Sequence, residues 1–509
     1  MQDWLSERAR ATPTAFALFF QEQRLTYAQL HHKTETFREQ LSALGIQPGD
    51  HIGLLMPNCI EYVCLIHALA RIGCVLVPFN TRLTAPELEK QRAHVNVKTI
   101  ICNSETKAAA AQLRAFSLTL DQLASLPPNP PIAPAQFSLD NLQAIVFTSG
   151  TTGDPKGVML TFANHFYSAT ASAFRLGHHP TDRWLSVIPL YHVGGLAVIF
   201  RACLYGIAID LHPRFDLAAV NASLDSNAIT LISVVPTMLV RLLDTRTKWP
   251  SSLRLILLGG AAATPDLLAK CCERNLPISP TYGLTETSSQ VATITPADSV
   301  RKPGSVGKPL LFSSVRILLR DENERIIGDA PPNVHGEIAV RGPTVMRGYY
   351  HNEVATQRAL TLSDPADFGK NESAEDAQNQ WPELLTGDIG YLDDDGDLFV
   401  LQRRSDLIIS GGENIYPAEV ENALRSHPNV TDACIVGVPD AEWGQRVVAM
   451  VITDADPLSA RDLLDHVRPQ LARYKLPREI KFVDALPRTA SGKVQRHAVV
   501  EAFLQGRID

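Results

Sequence analysis

Residues 148–157 (Thr-Ser-Gly-Thr-Thr-Gly-Asp-Pro-Lys-Gly) form a segment with the residue types that bind a polyphosphate. Glycines let backbone N–H groups turn toward an anion, hydroxyl groups add hydrogen-bond donors, and Lys156 adds a positive charge. The spacing is not the G-x-x-x-x-G-K-[ST] pattern of P-loop proteins, which occurs nowhere in the chain. A solvated turn rich in serine, threonine and glycine is the alternative, and this segment alone does not decide between the two.

Two further stretches carry groups suited to a nucleotide. Gly259, Gly260 and Ala261 follow an apolar run and would let the backbone approach a flat ligand, although a tight strand-to-helix turn explains them equally well. The stretch 282–287 supplies an aromatic ring, a hydroxyl and a carboxylate. These groups suit stacking on adenine, contact with a phosphate and ligation of Mg²⁺.

The last third of the chain adds charged residues at turns. Asp388 follows a turn and could accept hydrogen bonds from two ribose hydroxyls, and Arg403 lies in a polar, charged stretch. Gly411 and Gly412 follow shortly after, and Lys493 lies beyond a flexible turn near the C-terminus. Taken singly, these residues also fit an exposed acid, a solvated arginine, a turn and a surface lysine.

An alternation of apolar strands and helices must position these residues. Residues 51–55 and 75–78 are typical of strands, and residues 26–44 and 60–73 of helices; the rhythm continues to about residue 300. Such alternation predicts α/β layers with largely parallel sheets. After about residue 310, short alternating strands predict a small β-barrel-like subdomain.

The remainder of the chain predicts a separate small domain. We expect a large domain over 1–402, a hinge over 403–406 and a mobile α+β domain over 407–509. In the small domain, a helix begins near Pro417, which suits a first helical position. Strands at 431–438, 447–453 and 479–483 and a helix over 459–474 complete this prediction.

Composition excludes several classes of protein. The chain has 509 residues, with 47 Lys and Arg against 54 Asp and Glu, and a formal net charge of −7. This balance argues against a nucleic-acid partner. No apolar run reaches the ~18 residues of a membrane helix, and no secretory signal follows Met1, so we expect a cytoplasmic protein without an integral membrane segment. The 8 cysteines lie scattered without zinc-site spacing, which predicts buried free thiols in a reducing compartment.

In their order along the chain, these motifs resemble those of the adenylate-forming (AMP-binding) superfamily, which includes acyl-CoA synthetases, luciferases and peptide-synthetase adenylation domains. The resemblance covers about residues 25–493. It implies that a carboxylate attacks the α-phosphate of ATP to give acyl-AMP and pyrophosphate, and that a thiol, that of coenzyme A, then displaces AMP. It also implies catalysis chiefly by positioning and by neutralising phosphate charge.

The resemblance implies a role for each matching residue. It assigns the β- and γ-phosphates of ATP to Thr148, Ser149, Thr151, Thr152 and Lys156. It assigns adenine to Tyr282, the bound nucleotide more generally to Gly259, Gly260 and Ala261, and the ribose to Asp388 and Arg403. It assigns the α-phosphate to Thr285, Mg²⁺ to Glu286, and the charge that forms between the carboxylate and the α-phosphate to Lys493.

The resemblance also implies a rotation of the small domain between the two steps. The hinge would be Ser405, where relatives often have Asp or Lys, and a small polar residue can absorb the backbone change. After rotation, Gly411 and Gly412 would line the path of the pantetheine arm of coenzyme A.

Within the superfamily, the stretches 189–196, 258–263, 304–310 and 404–417 are most similar to the family that ligates o-succinylbenzoate to coenzyme A in menaquinone or phylloquinone biosynthesis. That acid carries a second carboxylate, which needs a cation in the acyl pocket. Arg201 on a predicted apolar helix is the candidate; the alternative is a surface arginine whose stem lies along the protein. His192 could gate the acyl pocket or contact the acyl group, and the alternative is a capped structural residue near the start of a helix. We also place Gly260 and Thr281 at the substrate.

Other functions remain open at this point. An aryl or fatty-acid CoA ligase would share the chemistry but would need no buried cation. An adenylation domain serving a carrier protein would be followed by a carrier module, and the chain has none. A regulatory pseudoenzyme would be expected to lack one of Glu286, Asp388 and Lys493, all of which are present. The sequence leaves the oligomeric state open, a homodimer included.

Overall fold

The computed structural model describes residues 3–127, 137–149, 155–321, 323, 325–361, 381–403, 407–453, 458–487 and 494–505. The helices are α1 (Trp4–Ala11), α2 (Tyr27–Ala43), α3 (Ile60–Ile72), α4 (Ala85–His94), α5 (Lys107–Ala110), α6 (Leu120–Ala124), α7 (Phe162–Leu176), α8 (Val193–Tyr205), α9 (Leu217–Ser226), α10 (Pro236–Thr245), α11 (Pro265–Glu273), α12 (Pro296–Arg301), α13 (Glu353–Ala359), α14 (Pro417–Arg425), α15 (Ala460–Val467) and α16 (Arg496–Leu504).

The first half of the strands are β1 (Phe16–Phe20), β2 (Gln23–Thr26), β3 (His51–Leu55), β4 (Val75–Pro78), β5 (Thr99–Cys102), β6 (Phe116–Thr119), β7 (Leu142–Ser149), β8 (Pro155–Thr161), β9 (Arg183–Ser186), β10 (Ala208–Leu211), β11 (Leu231–Val234), β12 (Leu255–Leu258) and β13 (Ile278–Tyr282). They are followed by β14 (Ala292–Thr293), β15 (Ser314–Arg320), β16 (Ile326–Asp329), β17 (Gly336–Arg341), β18 (Gly348–Tyr349), β19 (Leu360–Thr361), β20 (Glu383–Leu392), β21 (Leu398–Arg403), β22 (Ile408–Ser410), β23 (Glu413–Ile415), β24 (Val430–Asp440), β25 (Gly444–Thr453) and β26 (Glu479–Phe482).

The α/β alternation builds two largely parallel sheets. One has eight strands in the order β14-β13-β12-β11-β9-β10-β1-β2, and the other has seven in the order β18-β8-β7-β4-β3-β5-β6. The inner pairs β9–β10, β11–β12, β3–β4 and β3–β5 are parallel. A six-stranded sheet, β16-β15-β17-β20-β19 with β21 on β20, is antiparallel in the pairs β15–β17 and β17–β20. The predicted fold class is confirmed.

Local sequence signals explain where several helices start and end. Thr26 caps α2 in a reciprocal capping box with Gln29. Pro417 occupies the first turn of α14, as predicted. The predicted helix over 459–474 is wrong in its length, because α15 ends at Val467. Pro469 has no N–H to continue the helical hydrogen-bond pattern, so α15 ends and the chain turns before a short 3₁₀ helix at Arg473–Lys475.

The chain forms two compact units. The first comprises residues 1–81, 95–146 and 157–402, and the second comprises residues 82–94, 147–156 and 403–509. In the second unit, β24, β25 and β26 form a three-stranded sheet. One apolar cluster of this unit contains Leu424, Ile435 and Val467, and another contains Val438, Val448 and Val499.

The cysteines are free thiols, and the prediction that they are buried fails at two positions, because Cys59 is half-buried and Cys272 is exposed. Cys272 is exposed, because it lies on the solvent side of α11 beside the buried Cys271. Within the described ranges, no helix is long and apolar enough to cross a membrane.

Candidate active site

Several predicted site residues lie outside the described residues, namely Thr151, Thr152, Ser405 and Lys493. The side chains of Ser149 and Arg403 lie outside them as well. Of the remaining phosphate-loop residues, Thr148 lies near the end of β7 and Lys156 lies near the start of β8, and both are half-buried. The described ends of this segment therefore belong to β7 and β8.

Tyr282 and Asp388 are brought together in the first unit. The Tyr282 hydroxyl donates a hydrogen bond to Oδ2 of Asp388 over 2.7 Å. Both side chains are buried, with 6% and 2% of their surface exposed. The backbone N–H of Asp388 donates to the Thr386 hydroxyl, which anchors the carboxylate after its turn. Two residues far apart in sequence thus present a ring and an oriented carboxylate in one place.

Glu286 is oriented by Tyr349, a residue that no sequence motif indicates. Its Oε1 accepts a hydrogen bond of 2.9 Å from the hydroxyl of Tyr349 on β18. The backbone oxygen of Glu286 accepts another from the N–H of Met346. A half-buried, oriented carboxylate is the kind of ligand that Mg²⁺ prefers, so Glu286 fits the predicted metal.

The chain reverses tightly between Gly283 and Ser289 around Thr285 and Glu286. A Cβ built on Gly283 would lie 1.4 Å from the carbonyl oxygen of Ser289, so only glycine fits there. Ser288 and Ser289 follow with φ of 55° and 100°, values that L-residues seldom adopt. Strain of this kind is found at functional sites, where the surroundings hold it in place.

Thr281 and the turn after β12 meet at the ends of adjacent parallel strands. The Thr281 hydroxyl lies 2.7 Å from the hydroxyl of Thr293 and donates to the carbonyl of Ala292. A Cβ on Gly259 would lie 2.8 Å from Cγ2 of Thr281, so the two strand ends approach closely. Gly260 follows Gly259 in the turn after β12, as the sequence order requires.

His192 and Arg201, the two residues predicted to contact the acid substrate, lie at the N-cap of helix α8 and within it. His192 occupies its N-cap position, but the imidazole makes no capping hydrogen bond. The half-buried imidazole therefore does not cap the helix, and its ring centroid lies 4.8 Å from that of Tyr191. The backbone carbonyl of His192 accepts hydrogen bonds from Gly195 and Leu196.

Arg201 lies inside the first unit rather than on its surface. Only 1% of the residue is exposed, which excludes the alternative of a surface arginine. Its Nη2 lies 3.3 Å from the Ser168 hydroxyl and 3.5 Å from that of Ser289, both long for a hydrogen bond. Its guanidinium also lies 5.9 Å from the ring of Trp184.

No carboxylate of the described residues forms an ion pair with Arg201. Burial lowers the pKa of its guanidinium from the ordinary value, because a charge is costly away from water. Arginine nevertheless stays protonated in proteins. A buried cation of this kind requires an anion from elsewhere.

In the second unit, Gly411 and Gly412 form the two-residue turn between the paired strands β22 and β23. Their φ values are 59° and 84°, as the tightest hairpin turns require. The Gly411 N–H donates to the carbonyl of Trp443 over 2.8 Å. The guanidinium of Arg478 lies 4.6 Å from the ring of Trp443. The hairpin turn itself therefore favours glycine at both positions. Because Gly411 has no side chain, its backbone lies directly against the indole of Trp443.

Three contact residues could not be found from sequence motifs. Tyr349, Ser168 and Ser289 belong to no recognisable catalytic pattern, and each meets its partner across a long stretch of chain. The only available signal was proximity of Ser289 to the stretch 282–287.

Comparison with known proteins gives two family matches. The AMP-binding enzyme family matches residues 5–350, and the AMP-binding enzyme C-terminal domain matches residues 419–493. A 2-succinylbenzoate–CoA ligase of Bacillus licheniformis is 43% identical over 498 residues, which cover 97% of this chain and 98% of that protein.

Solved structures of an o-succinylbenzoate CoA synthetase from Bacillus subtilis are similar as well. A double mutant bound to the product analogue OSB-NCoA has a TM-score of 0.90 at 38% identity, with 98% of each chain covered. The same enzyme with the acyl-adenylate intermediate OSB-AMP has a TM-score of 0.73 at 38% identity, again with 98% of each chain covered. Its complex with ATP and magnesium ion has a TM-score of 0.72 at 38% identity, covering 98% of this chain and 99% of that one.

Proposed function

The chain belongs to the AMP-binding enzyme family, and from this premise we propose that it is an AMP-forming acid–thiol ligase that converts o-succinylbenzoate to its coenzyme A thioester. In the first step, a carboxylate oxygen of the acid bonds to the α-phosphorus of ATP, and pyrophosphate leaves with the electrons of the broken P–O bond. In the second, the sulfur of coenzyme A bonds to the acyl carbon, AMP leaves, and the thiol proton is released. The adenylate is needed because AMP is a far better leaving group than an oxide.

The described residues have distinct tasks in the first step. Tyr282 flanks the adenine, while the Asp388 carboxylate, oriented by the Tyr282 hydroxyl, accepts hydrogen bonds from the ribose. Thr285 contacts the α-phosphate. Glu286, held by Tyr349, would ligate Mg²⁺, which when bound neutralises phosphate charge. Positioning and charge neutralisation therefore account for most of the expected rate enhancement.

Residues outside the described ranges complete this proposal by their motifs alone. Thr151 and Thr152 contact the phosphates of ATP, Lys493 neutralises charge between the attacking carboxylate and the α-phosphate, and Ser405 is the hinge. Among the described residues, Gly411 and Gly412 line the path of coenzyme A in the second step. We place the reaction in the cytoplasm, in menaquinone or phylloquinone biosynthesis.

The observation that carries the choice of acid is the buried guanidinium of Arg201, which forms no ion pair with a carboxylate of the described residues. It contacts Ser289, which directly follows the reversal that bears Thr285 and Glu286. o-Succinylbenzoate has a succinyl carboxylate that reacts and a ring carboxylate that does not. The second of these supplies the anion that Arg201 requires, whereas a fatty acid would leave the cation uncompensated.

The test is pyrophosphate release with ATP, Mg²⁺, coenzyme A and a panel of acids. The panel contains o-succinylbenzoate, benzoate, a medium-chain fatty acid and a long-chain fatty acid. We expect strong preference for o-succinylbenzoate in the wild type and loss of that preference in Arg201→Leu. Preference for a monocarboxylate, or an Arg201→Leu variant as selective as the wild type, would contradict the proposed acid.

A control separates loss of the cation from loss of fold. Arg10 is an exposed arginine on α1 whose ion pair with Glu7 spans 3.5 Å. Such surface pairs contribute little to stability. Arg10→Leu removes the same charge without touching the site, and it should leave the order of the acids unchanged.

A further inference from the structure

His165 is a buried histidine beside Arg201 with no partner for either ring nitrogen. It lies on α7 with 2% of its surface exposed, and both Nδ1 and Nε2 lack a hydrogen bond within the described part of the chain. Its ring centroid lies 4.6 Å from that of Phe200, the residue before Arg201 on α8. Unpartnered buried polar atoms are rare because each costs free energy, so this pair calls for an explanation.

Ser288 is linked to the same guanidinium through Ser168, whose hydroxyl lies 3.3 Å from Nη2 of Arg201. Nε of Arg201 and the hydroxyl of Ser288 are both buried without a hydrogen-bond partner in the described residues. Ser288 has the strained φ of 55°, and its carbonyl accepts a 2.8 Å hydrogen bond from the Ser168 hydroxyl. That bond connects Ser288 to α7, the helix that carries both Ser168 and His165. Arg201, His165 and Ser288 are thus connected through Phe200 and Ser168, and each is buried with hydrogen-bonding capacity that no described residue uses.

We propose that His165 and Ser288 complete the site for the second carboxylate of the acid, and that His165 is a residue that determines the preference for a dicarboxylate. The inference rests on the proposed function, because it takes Arg201 as the anchor of that carboxylate. An ionised carboxylate has about four acceptor sites on its two oxygens. One guanidinium fork occupies two of them, so a buried carboxylate needs further donors. The imidazole N–H and the serine hydroxyl are the unpartnered groups at hand.

The charge state of His165 suits this task. Burial, and next the charge of Arg201, lower the pKa of His165 to about 3. The ring is therefore neutral at ordinary pH and offers one N–H donor. A neutral donor can hydrogen-bond to a carboxylate without a second buried charge. A monocarboxylate acid that lacks the ring carboxylate would leave this donor unused.

His67 provides a matched control. It is also a buried histidine that faces Phe200, with ring centroids 6.2 Å apart, and burial lowers its pKa to about 4. Its neighbour Arg71, however, has its own carboxylate, since Nε and Nη2 of Arg71 lie 3.1 Å from the Asp3 oxygens. His67→Phe thus changes a buried imidazole beside a compensated arginine, whereas His165→Phe changes one beside an uncompensated arginine.

The experiment compares kcat and KM for o-succinylbenzoate and for 3-benzoylpropionate, the same acid without the ring carboxylate. For His165→Phe we expect KM for o-succinylbenzoate to rise about tenfold or more, as for a lost hydrogen bond to a charged group. Values for 3-benzoylpropionate should stay within about twofold of the wild type. His165→Asn keeps a neutral N–H donor and should restore part of the loss, and His67→Phe should leave the ratio of the two acids unchanged.

Ser288→Ala keeps the inference testable if His165→Phe does not fold, because it removes only a hydroxyl. It should also raise KM for o-succinylbenzoate selectively, by a few-fold. Equal losses for both acids in these variants would mean that the polar cluster is structural, and would overturn the inference alone. A wild type that does not prefer o-succinylbenzoate over 3-benzoylpropionate would instead overturn the proposed acid, and the inference with it.

Discussion

Gly411→Ala is expected to slow the thioester-forming step while leaving adenylation intact. The residue has a φ of 59°, and a Cβ there would lie 2.8 Å from Cε3 and 3.1 Å from Cζ3 of Trp443. Contacts under 3.0 Å do not persist between carbon atoms, so the indole or the hairpin turn must move. Trp443 is held by the Gly411 hydrogen bond to its carbonyl and by the guanidinium of Arg478 over its ring, so the turn cannot simply relax.

The expected magnitude has two parts. Left-handed backbone costs an L-residue about 1–2 kcal/mol, which lowers the stability of the second unit. Displacing the indole changes the surface along which we expect the pantetheine arm to pass. A misplacement of roughly 1 Å in a site can cost about a hundredfold in rate, so a fall of ten- to a hundredfold in the second half-reaction is reasonable.

Gly45→Ala is the matched control, since Gly45 has a φ of 72° and no atom within 4 Å of an added Cβ. It carries the same backbone cost without the clash. Each half-reaction is measured separately, as ATP–pyrophosphate exchange with the acid and as thioester formation from supplied acyl-AMP. An equal fall in both half-reactions, or a thioester step as fast as in Gly45→Ala, would refute the assignment of this turn to the coenzyme A path.

Three further outcomes are expected. Lys493→Ala should abolish adenylation yet spare thioester formation from supplied acyl-AMP; equal loss of both would refute its role. Asp388→Ala should raise KM for ATP, and Tyr282→Phe, which removes the 2.7 Å hydrogen bond to that carboxylate, should raise it less; an unchanged KM in Asp388→Ala would contradict the ribose assignment. His67 has a pKa lowered from 6.5 to about 4 in the folded protein, so the unfolded chain binds the proton more readily. The contribution of His67 to the free energy of unfolding should therefore be complete above pH 6.5. It should fall by up to about 1.4 kcal/mol per pH unit as the pH drops toward 4. The free energy of unfolding, measured in urea across that pH range, should depend less steeply on pH in His67→Phe than in the wild type. An identical pH dependence would contradict the assignment.

Much of the fold follows from local sequence signals, because those signals act within a few residues. Thr26 and Gln29 close a capping box at the start of α2, and Pro417 begins α14. The order of strands does not follow in the same way. β1 pairs in parallel with β10, with Leu18 opposite Ile209, and no local pattern of either strand specifies that partner. Pairings of this kind depend on the packing of the whole sheet.

The candidate site shows the same division between local motifs and distant contacts. Thr285, Glu286 and Asp388 belong to sequence motifs whose residue types indicate nucleotide binding. Tyr349 reaches Glu286 only through the pairing of β18 with β8, where Tyr349 lies opposite Val158. A tyrosine in that position carries no signal until the sheet is assembled.

Helix α8 suggests why acid specificity is harder to predict than nucleotide chemistry. Its last turn is held from outside the helix: Nε of Arg8 donates to the carbonyl of Cys203 over 2.9 Å, and the Tyr27 hydroxyl lies 2.8 Å from the carbonyl oxygen of Ala202. These contacts satisfy carbonyls that a helix end leaves without partners, and they fix the turn that bears Arg201. The preference for a dicarboxylate would then depend on a buried charge that has no counter-ion among the described residues. A missing partner is a property of the assembled core, so a sequence motif can name the cation but cannot show that it is unpaired.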